Sequence, residues 1–536
     1  VFADQDYESR IRGGHNFFRI RVKDSQAFSI SEPLDILVAL NRESLSIHCN
    51  ELTKTGVAIS DEFRDPDLSR QYNIIPVPLI KLAEEKAGNK IASNSVATGA
   101  AMGLAGFDLN ILLSIIQEYF TTDLADININ AARAGYEYVQ QHAISTLKTD
   151  LSTVMKSRRM LINGNEAVAM GALAAGCKFL AAYPMTPSTT IIEFMAAREA
   201  DFNTVVLQPE DEIAAVHMAI GAAYVGVRAM TVTSGGGFSL MAEGIGLSGM
   251  TETPLVVVLG QRPGPAIGLP TRTEQGDLQF AVHVSHGEFP RVVFAPSTAE
   301  NAFWLTIKAF NIAEKYQVPV IILTDHYLAS SYFTIDKFDC SAISIDRGLP
   351  LNPDEMCKLS EYKRHRITSS GISPRAFPKL SQAVVVTDSD EHNEEGHLIE
   401  DAETRVKMTD KRLKKISAIR KDITSPQLYG PKSANITLVG WGSTFGPLHE
   451  ASSRLRKQGV NINLLHFTEL WPFPARVSTL LGNTEKIIVA ENNATAQFAN
   501  LFAASTGLKI HFTILKYDGR PFTSEYIVNH LGREQL

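Results

Sequence analysis

The chain has 536 residues, with 58 Asp and Glu against 51 Lys and Arg and a formal net charge of -7 at pH 7. This length predicts about three or four domains and excludes a small disulfide scaffold, and the mild negative charge argues against a nucleic-acid partner. Hydrophobic residues make up 44% of the chain, and its 36 glycines and 24 prolines are scattered, which is typical of a globular α/β protein.

Residues 1–150 alternate strand-like and helix-like runs, which predicts one α/β domain. The runs are strands Phe17–Val22, Ile36–Ala39 and Ile74–Pro76 and helices Asp108–Phe120 and Ala131–Ser145. The first elements of such a domain are missing, and the sequence begins with Val1 instead of Met, so we expect it to start inside a longer protein. A basic stretch near its start could face a coenzyme phosphate, although an exposed strand edge is the favoured interpretation. Its members are Arg10, Arg12, Arg19, Arg21 and Lys23.

Residues 155–335 show a more regular alternation, which predicts a parallel sheet covered by helices on both faces. The predicted elements are helix Glu166–Cys177, strand Phe179–Tyr183, helix Pro187–Arg198, strand Val205–Gln208, helix Asp211–Val225, strand Ala229–Thr233, helix Phe238–Leu247 and strand Leu255–Gly260. A glycine turn separates the strand that ends at Thr233 from the helix that follows it.

Residues 336–430 lose this alternation and are predicted to form a charged connector. Seven of the 14 residues of Asp388–Asp401 are acidic, and the basic run Arg405–Lys421 follows them. We interpret these segments as a solvated loop and an exposed helix. His392 and His397 are metal-ligand types, but they have no third ligand at a suitable spacing, so the solvated loop is favoured for them too.

Residues 431–536 resume the alternation and predict a third compact α/β domain. Its elements are strand Ile436–Val439, helix Pro447–Gln458, strands Ile462–Leu465 and Lys486–Ala490, and helix Ala496–Ser505.

The four cysteines lie far apart and form no CxxC pair. This spacing predicts neither a zinc ribbon nor a cysteine-ligated iron–sulfur cluster on this chain, and it favours a reduced, cytoplasmic protein. No apolar run reaches the roughly 20 residues of a membrane helix, and the acidic N-terminus lacks the features of a secretory signal.

The segment Tyr183–Thr189 follows a strand and opens a helix, which predicts Thr186 at the N-cap and Pro187 in the first turn. Free backbone N–H groups at such a place suit a carboxylate or a phosphate, although Thr186 could simply cap the helix.

Glu212 lies at the start of the next helix and abuts an apolar run. An acidic residue in a first helical turn commonly just complements the helix dipole. In apolar surroundings, however, a carboxyl group can share a proton with a ligand nitrogen, so both interpretations stay open.

The run Thr233–Met241 carries three consecutive glycines between a strand and a helix, where a backbone can approach a ligand closely. It matches neither a dinucleotide-binding fingerprint nor a P-loop, which argues against a nicotinamide-dependent dehydrogenase. Arg262 and Arg272 follow in a long loop after the next strand, where arginines can bind carboxylates or simply face solvent.

Seven segments resemble, in order, the fused gamma/alpha subunit of 2-oxoacid:ferredoxin oxidoreductases. They are Gly13–Asn16, Tyr183–Thr189, Glu210–Glu212, Thr233–Met241, Leu269–Gln275, Asp388–His397 and Lys516–Phe522. The resemblance spans nearly the whole chain. It implies an α/β gamma domain, then a parallel-sheet domain that binds the pyrimidine of thiamine diphosphate, then a transketolase C-terminal-like domain.

The chain departs from this family in two places. The gamma domain lacks its usual first glycine-rich strand–helix unit, and Gly236 stands where the family often has proline.

The resemblance also implies roles for individual residues. Glu212 matches the glutamate that bonds the aminopyrimidine of the cofactor, and Thr186 and Arg272 match positions that hold the 2-oxoacid. Arg262 is a weaker candidate for a second, distal carboxylate. The cofactor-binding set that the resemblance implies is Glu212, Ser234, Gly235, Gly236 and Phe238.

The implied reaction is decarboxylation of a 2-oxoacid, oxidation through an iron–sulfur cluster to ferredoxin, and acyl transfer to coenzyme A. The GDG…N pattern that holds magnesium and diphosphate in thiamine enzymes is absent from the sequence, as are cluster-spaced cysteines. The resemblance therefore implies a separate beta subunit that carries the Mg²⁺ and a 4Fe-4S cluster, in a heterodimer or a dimer of heterodimers.

The favoured substrate is 2-oxoglutarate. Pyruvate or a branched-chain 2-oxoacid is the alternative within the family, and a non-catalytic module of the same fold is the alternative outside it.

Overall fold

The computed structural model describes residues 1–9, 13–61, 66–142, 159–359, 361–378 and 384–532. Arg10 and Arg12 of the basic stretch lie outside the described residues, as do the last three residues of the helix predicted to end at Ser145. The contacts divide the chain into two compact units, one made of Val1–Ile30 with Arg159–Leu536 and the other of Ser31–Arg158. The first 30 residues, which the sequence analysis assigned to the gamma domain, thus belong by their contacts to the larger unit. The four predicted domain ranges stay a prediction.

The described residues form strands and helices in alternation. The strands are β1 (Phe2–Asp6), β2 (Phe17–Arg21), β3 (Leu34–Ala39), β4 (Leu52–Ser60), β5 (Asn73–Pro76), β6 (Met160–Asn163), β7 (Phe179–Ala181), β8 (Val205–Leu207), β9 (Ala229–Ser234), β10 (Leu255–Gln261), β11 (Val292–Phe294), β12 (Pro319–Asp325), β13 (Tyr332–Ile335), β14 (Gln427–Tyr429), β15 (Ile436–Trp441), β16 (Ile462–Phe467), β17 (Glu469–Trp471), β18 (Lys486–Glu491) and β19 (Phe512–Leu515).

The helices are α1 (Arg42–His48), α2 (Pro66–Gln71), α3 (Leu79–Ala87), α4 (Ser93–Leu104), α5 (Leu109–Tyr119), α6 (Thr122–His142), α7 (Gly164–Ala174), α8 (Thr189–Ala196), α9 (Glu199–Phe202), α10 (Glu212–Tyr224), α11 (Gly235–Leu240), α12 (Ala242–Met250), α13 (Leu278–His283), α14 (Ala299–Tyr316), α15 (His326–Ser330), α16 (Pro353–Cys357), α17 (Ala402–Asp422), α18 (Phe445–Lys457), α19 (Val477–Leu481), α20 (Gln497–Thr506) and α21 (Ser524–Gly532).

The smaller unit is built on a parallel sheet of order β3-β4-β5. Two of its helices, α4 and α6, cross in close contact. An added Cβ at Gly99 would lie 1.9 Å from the Ala132 carbonyl oxygen, and one at Gly135 would lie 1.9 Å from the Val96 carbonyl oxygen. The two backbones can approach this closely only because both positions are glycine.

The larger unit contains a seven-stranded sheet of order β17-β11-β12-β10-β9-β7-β8, parallel except at β17. Side chains of β10 alternate between two cores: Val256 and Val258 face one cluster, whereas Val257 and Leu259 face the other. Both faces are therefore buried, as expected for a parallel sheet covered by helices. The predicted α/β character of this segment is confirmed.

A five-stranded sheet of order β14-β16-β15-β18-β19 follows in the same unit. It is parallel except at β14, and Leu438 and Val439 of β15 point to different hydrophobic clusters. A third sheet, of order β2-β1-β13-β6, is antiparallel throughout and pairs the first strand of the chain with Phe333 and Tyr332 of β13.

The connector differs from its predicted character. Its basic helix α17 was expected to be exposed, but it buries one face made of Met408, Lys411, Arg412, Lys415 and Ile419. The acidic loop before it was expected to be solvated, yet His392 is fully buried. Sequence pattern misses this because the buried charges are compensated by partners far away in the chain.

Glu252, two residues after the end of α12, provides the countercharge for these buried side chains. Its carboxylate pairs with the ammonium groups of Lys411 and Lys415 and with Nδ1 of His365, and all four side chains are at most 1% exposed. Burial opposes ionisation of Glu252, but the two lysines outweigh it and hold the pKa of Glu252 well below its ordinary value. Burial lowers the pKa of Lys415 to about 7.

No helix among the described residues is both long enough and apolar enough to span a membrane.

Candidate functional site

The predicted site residues follow the carboxyl ends of neighbouring parallel strands. Ser234 of β9 pairs in register with Gly260 of β10, and Gln261 of β10 pairs with Asp325 of β12, so these three strands end at the same edge. Ligands of open α/β sheets bind at this edge, where the loops after the strands meet.

Glu212 is the first residue of α10, and Asp211 caps this helix by accepting a hydrogen bond from the Ala214 N–H. The Glu212 side chain is buried, at 4% exposure, and its Oε1 has no hydrogen-bond partner in the part of the chain that the structure describes. Leaving a buried carboxylate oxygen unpartnered costs free energy. This oxygen is therefore a candidate acceptor for a ligand donor.

The glycine run lies directly beside that carboxyl group. An added Cβ at Gly237 would lie 2.6 Å from Oε1 of Glu212 and 2.2 Å from Oγ1 of Thr233. The absence of a side chain at Gly237 therefore provides the space that the Glu212 carboxyl group occupies. The three glycines were expected to form a turn, but they are the first residues of α11, a short helix that precedes α12.

The other predicted cofactor-binding residues have different surroundings. Ser234 is buried and its hydroxyl has no partner among the described residues, while an added Cβ at Gly235 would lie 3.0 Å from Oδ2 of Asp277. An added Cβ at Gly236 would meet only the Ala266 carbonyl oxygen, at an ordinary 3.8 Å, so this position has room for a side chain. The Phe238 ring is packed in the core, edge-to-face on Phe280.

Thr186 is not the helix cap that the sequence predicted. Helix α8 begins two residues after Pro187, at Thr189, and the peptide bond between Thr186 and Pro187 is cis. The hydroxyl of Ser188 instead donates to the Thr233 carbonyl oxygen, 2.6 Å away. Thr186 thus lies in the loop before the helix, with its own hydroxyl not used as a cap.

Arg262 is brought together with Thr186. Its Nη1 donates to the Thr186 carbonyl oxygen at 2.6 Å. Burial lowers the pKa of Arg262, which the charge of Asp277 opposes, and burial raises the pKa of Asp277 to about 6 against the effect of Arg262. Oδ2 of Asp277 has no hydrogen-bond partner among the described residues. Sequence reasoning did not single out Asp277, which lies in an ordinary loop pattern.

Arg272 lies in a second cluster at the same edge. Its Nη1 donates to Oδ1 of Asp6 at 2.5 Å, and the other oxygen of Asp6 accepts from Nη1 of Arg520 at 2.5 Å. The Arg272 N–H donates to the Leu269 carbonyl oxygen, and an added Cβ at Gly519 would lie 3.1 Å from the Arg272 Cβ.

His326 and Tyr7 adjoin this cluster. The hydroxyl of Tyr7 lies 3.3 Å from Nε2 of His326, which follows β12 directly. Burial and the charge of Arg272 lower the pKa of His326 to about 4, so the imidazole is neutral at pH 7. Burial raises the pKa of Tyr7, so its phenol is neutral as well.

The loop that carries Arg272 is held between two sheets. Gln275 exchanges hydrogen bonds with Asn492, its N–H donating to the Asn492 carbonyl oxygen and its Oε1 accepting from the Asn492 N–H, and its Nε2 donates to the Trp441 carbonyl oxygen. The Thr273 N–H donates to the Gly519 carbonyl oxygen. The carboxyl ends of the five-stranded sheet therefore brace this loop.

The described part of the basic stretch near the start of the chain and the two histidines of the connector do not lie with the predicted site residues. Arg19 forms a two-point ion pair with Asp4, and Arg21 pairs with Glu450, so these members of the basic stretch have intramolecular partners. His392 is buried against His365, with ring centroids 4.0 Å apart, while His397 is exposed.

Three family models match the chain. Pyruvate flavodoxin/ferredoxin oxidoreductase, thiamine diphosphate-binding, matches residues 170–411. Pyruvate ferredoxin/flavodoxin oxidoreductase matches residues 1–138, and pyruvate:ferredoxin oxidoreductase core domain II matches residues 434–527.

Two relatives and one solved structure match most of the chain. The 2-oxoacid:ferredoxin oxidoreductase subunit alpha of a Sulfolobus species is 34% identical, over 97% of this chain and 90% of the relative. The 2-oxoglutarate oxidoreductase subunit KorA of Mycobacterium tuberculosis is 31% identical, over 90% of this chain and 78% of the relative. The solved 2-oxoglutarate:ferredoxin oxidoreductase from Magnetococcus marinus, with 2-oxoglutarate, coenzyme A and succinyl-CoA bound, matches with a TM-score of 0.93 at 28% identity, over 99% of this chain and 94% of that chain. The predicted fold class is confirmed.

Proposed function

The chain belongs to the 2-oxoacid:ferredoxin oxidoreductase family, as an alpha subunit, and we propose that it works with a beta subunit as a 2-oxoglutarate:ferredoxin oxidoreductase. The reaction interconverts 2-oxoglutarate and coenzyme A with succinyl-CoA and CO2, and the two electrons released pass to ferredoxin. The observation that carries this proposal is the buried, unpartnered Oε1 of Glu212 beside Gly237, at the strand edge that also carries Arg262 and Arg272.

The residues around Glu212 fit the aminopyrimidine of thiamine diphosphate. A ring nitrogen of that group would satisfy the orphan carboxyl oxygen, and Gly237 keeps the space beside it free of side-chain atoms. When bound, the cofactor supplies the carbanion chemistry needed to break the bond to CO2. Glu212 would share a proton with the ring nitrogen, while Ser234 and Gly235 would line the same edge and Phe238 supports α11 from the core.

The two arginine positions support a dicarboxylate substrate. Arg272 is proposed to hold the 2-oxoacid carboxylate together with Thr186, and Arg262 to meet the distal carboxylate, because a guanidinium group binds carboxylates through two parallel hydrogen bonds. The relative from Mycobacterium tuberculosis and the structure from Magnetococcus marinus, both named for 2-oxoglutarate, favour this acid over pyruvate.

We further propose that the beta subunit supplies Mg²⁺, the diphosphate site and the 4Fe-4S cluster, and that a heterodimer or a dimer of heterodimers is the working form. The relatives are named as alpha subunits, which supports a partner chain. The isolated chain is then expected neither to bind thiamine diphosphate tightly nor to catalyse, and measurable turnover by it would contradict this division of labour.

The direct test is coenzyme A-dependent reduction of a low-potential dye by the complex purified from its source. 2-Oxoglutarate, pyruvate and 2-oxoisovalerate are offered separately, with thiamine diphosphate and Mg²⁺ present. Reduction with 2-oxoglutarate alone is the expected result. Dye reduction with only one of the other acids would show that this acid is the substrate. Absence of dye reduction with all three acids would favour a non-catalytic module.

A further inference from the structure

We propose that Asp6 is a positioning residue for Arg272, and that strand β1 is therefore part of the substrate site. This inference rests on the proposed role of Arg272 in holding the 2-oxoacid carboxylate. Asp6 itself is not proposed to touch the substrate.

Asp6 divides its carboxylate between two arginines that are far apart in the chain. Oδ1 accepts from Nη1 of Arg272 and Oδ2 accepts from Nη1 of Arg520, each at 2.5 Å. Asp6 is the last residue of β1, and this strand is held in register between β2 and β13. The carboxylate is therefore fixed by a sheet, and it transmits that fixed position to the Arg272 guanidinium.

The burial of the pair makes this contact strong. The side chains of Asp6 and Arg272 are 13% and 15% exposed, whereas that of Arg520 is 46% exposed. A charge-assisted hydrogen bond that is shielded from water orients a long side chain more firmly than an exposed ion pair does. Of the two arginines that pair with Asp6, Arg520 thus lies on the solvent side and Arg272 on the buried side.

The hydrogen bonds leave part of Arg272 available. Among the described residues, its side chain donates only through Nη1, to Asp6. The guanidinium fork has five N–H donors in a rigid plane, so Nε and Nη2 remain for a second carboxylate. Asp6 therefore selects which edge of Arg272 faces a substrate.

The charges of the cluster match one additional carboxylate. Arg272 and Arg520 carry two positive charges and Asp6 one negative charge, while His326 and Tyr7 are neutral and the adjacent Lys516 and Asp518 pair with each other. Among these described groups, one positive charge is left over. Without Asp6, both arginines would be uncompensated, and their mutual repulsion would displace Arg272 from its present orientation.

The experiment compares Asp6→Asn, Asp6→Glu and a matched control, Asp4→Asn, in the complex with its partner subunit. Asp4 lies on the same strand and forms an equally direct ion pair, with Arg19 at 2.7 Å, but it does not contact Arg272. Two quantities are measured for each variant. One is the KM and kcat for 2-oxoglutarate, and the other is the Kd of 2-oxoglutarate for the complex depleted of thiamine diphosphate, by titration calorimetry.

The expected result for Asp6→Asn is a rise of about tenfold in both KM and Kd, equivalent to about 1.4 kcal/mol, with kcat changed by less than about threefold. Asp6→Glu should recover part of the affinity, and Asp4→Asn should leave both constants within about twofold. Unchanged constants in Asp6→Asn would overturn the proposal, and so would an equal loss in Asp4→Asn, which would make the effect one of strand structure.

Arg272→Gln separates failure of this inference from failure of the proposed function. If Arg272→Gln leaves the Kd unchanged, Arg272 does not hold the substrate and the proposed function loses that residue. If Arg272→Gln weakens binding but Asp6→Asn does not, Arg272 binds the substrate without help from Asp6, and only the positioning role is wrong.

Discussion

The carboxyl group of Glu212 occupies space that any side chain at Gly237 would need. The ideal Cβ position at Gly237 is 2.6 Å from Oε1 and 2.7 Å from Cγ of Glu212. The position of the Glu212 side chain on α10 thus depends on the presence of glycine at residue 237 on α11.

Replacing Gly237 by alanine should displace the Glu212 carboxyl group, because a Cβ atom cannot lie 2.6 Å from an oxygen to which it is not bonded. We expect about a hundredfold loss of coenzyme A-dependent turnover by the complex, the order of effect expected when a catalytic group is moved by about 1 Å. Gly221→Ala is the control. It lies on the same helix as Glu212, and its added Cβ would meet no atom within 4 Å. Equal turnover in both variants would contradict the steric argument.

Replacing Glu212 by glutamine keeps the shape of the side chain and removes its ability to hold a negative charge or exchange a proton. Turnover should fall by about two orders of magnitude or more, since general acid–base catalysis typically contributes about 10²–10⁴-fold. Assembly with the partner subunit, followed by gel filtration, should be unchanged. Glu210→Gln, at an exposed position two residues earlier, should behave like the unmodified protein. Near-normal activity of Glu212→Gln would mean that another carboxyl group has the role.

Replacing Arg262 by glutamine should raise the KM for a substrate with two carboxylates more than the KM for a substrate with one. We expect the KM for 2-oxoglutarate to rise by about tenfold, as for loss of one charge-assisted hydrogen bond, while the KM for pyruvate or 2-oxoisovalerate changes by less than about threefold. Dye-reduction kinetics with each acid give the comparison. An equal rise for all acids would assign Arg262 to the 2-oxoacid group shared by them.

Replacing Glu252 by glutamine should destabilise the fold, because Lys411 and Lys415 would lose their buried countercharge. Breaking a buried ion pair commonly costs about 3–5 kcal/mol, which corresponds here to a fall of about 3 to 6 °C in the midpoint of thermal unfolding. Glu403→Gln removes an exposed ion pair with Lys407 on the same helix and should change the midpoint by less than about 1 °C. Similar midpoints for both variants would show that the buried pairs contribute little.

His466 gives the stability a defined dependence on pH. Burial lowers the pKa of His466 to about 3, whereas a histidine in an unfolded chain has its ordinary pKa of about 6.5. Between these values the unfolded state binds more protons, so the contribution of His466 lowers stability at acid pH and this penalty disappears as the pH rises to 6.5. The unfolding midpoint of the unmodified protein minus that of His466→Gln should therefore rise from pH 4 to 6.5 and stay level above it. A flat difference across this range would show that the imidazole titrates normally.

Local pattern in the sequence predicted a large part, but not the majority, of the regular elements that the structure describes. The apolar run of β10 and the helix that begins near Glu212 both lie within one or two residues of their predicted limits, because hydrophobic spacing and acidic first turns are local signals. The glycine run was expected to be a turn, but it begins a helix. Glycine permits several backbone conformations, and tertiary packing against Glu212 selects among them.

The parts of the site that escaped prediction depend on contacts between distant residues. Asp6 lies in a short acidic segment with no motif, and only the fold shows that it meets Arg272 and Arg520. In the same way, the basic helix α17 has the composition of a solvated surface, and its burial depends on a carboxylate that lies 159 residues away from Lys411 in the sequence. No local pattern carries that information.

The bridge from Asp6 to Arg520 spans 514 positions of sequence. A ribosome that adds about 5–20 residues per second needs roughly 25 to 100 s to cover that distance. Early in this time β1 can pair only with β2, Arg272 and β13 become available partway through it, and Arg520 comes last. The two-arginine bridge of Asp6 is therefore completed only after Arg520 has emerged, and a nascent chain that stalls between the two arginines has Asp6 and Arg272 without Arg520.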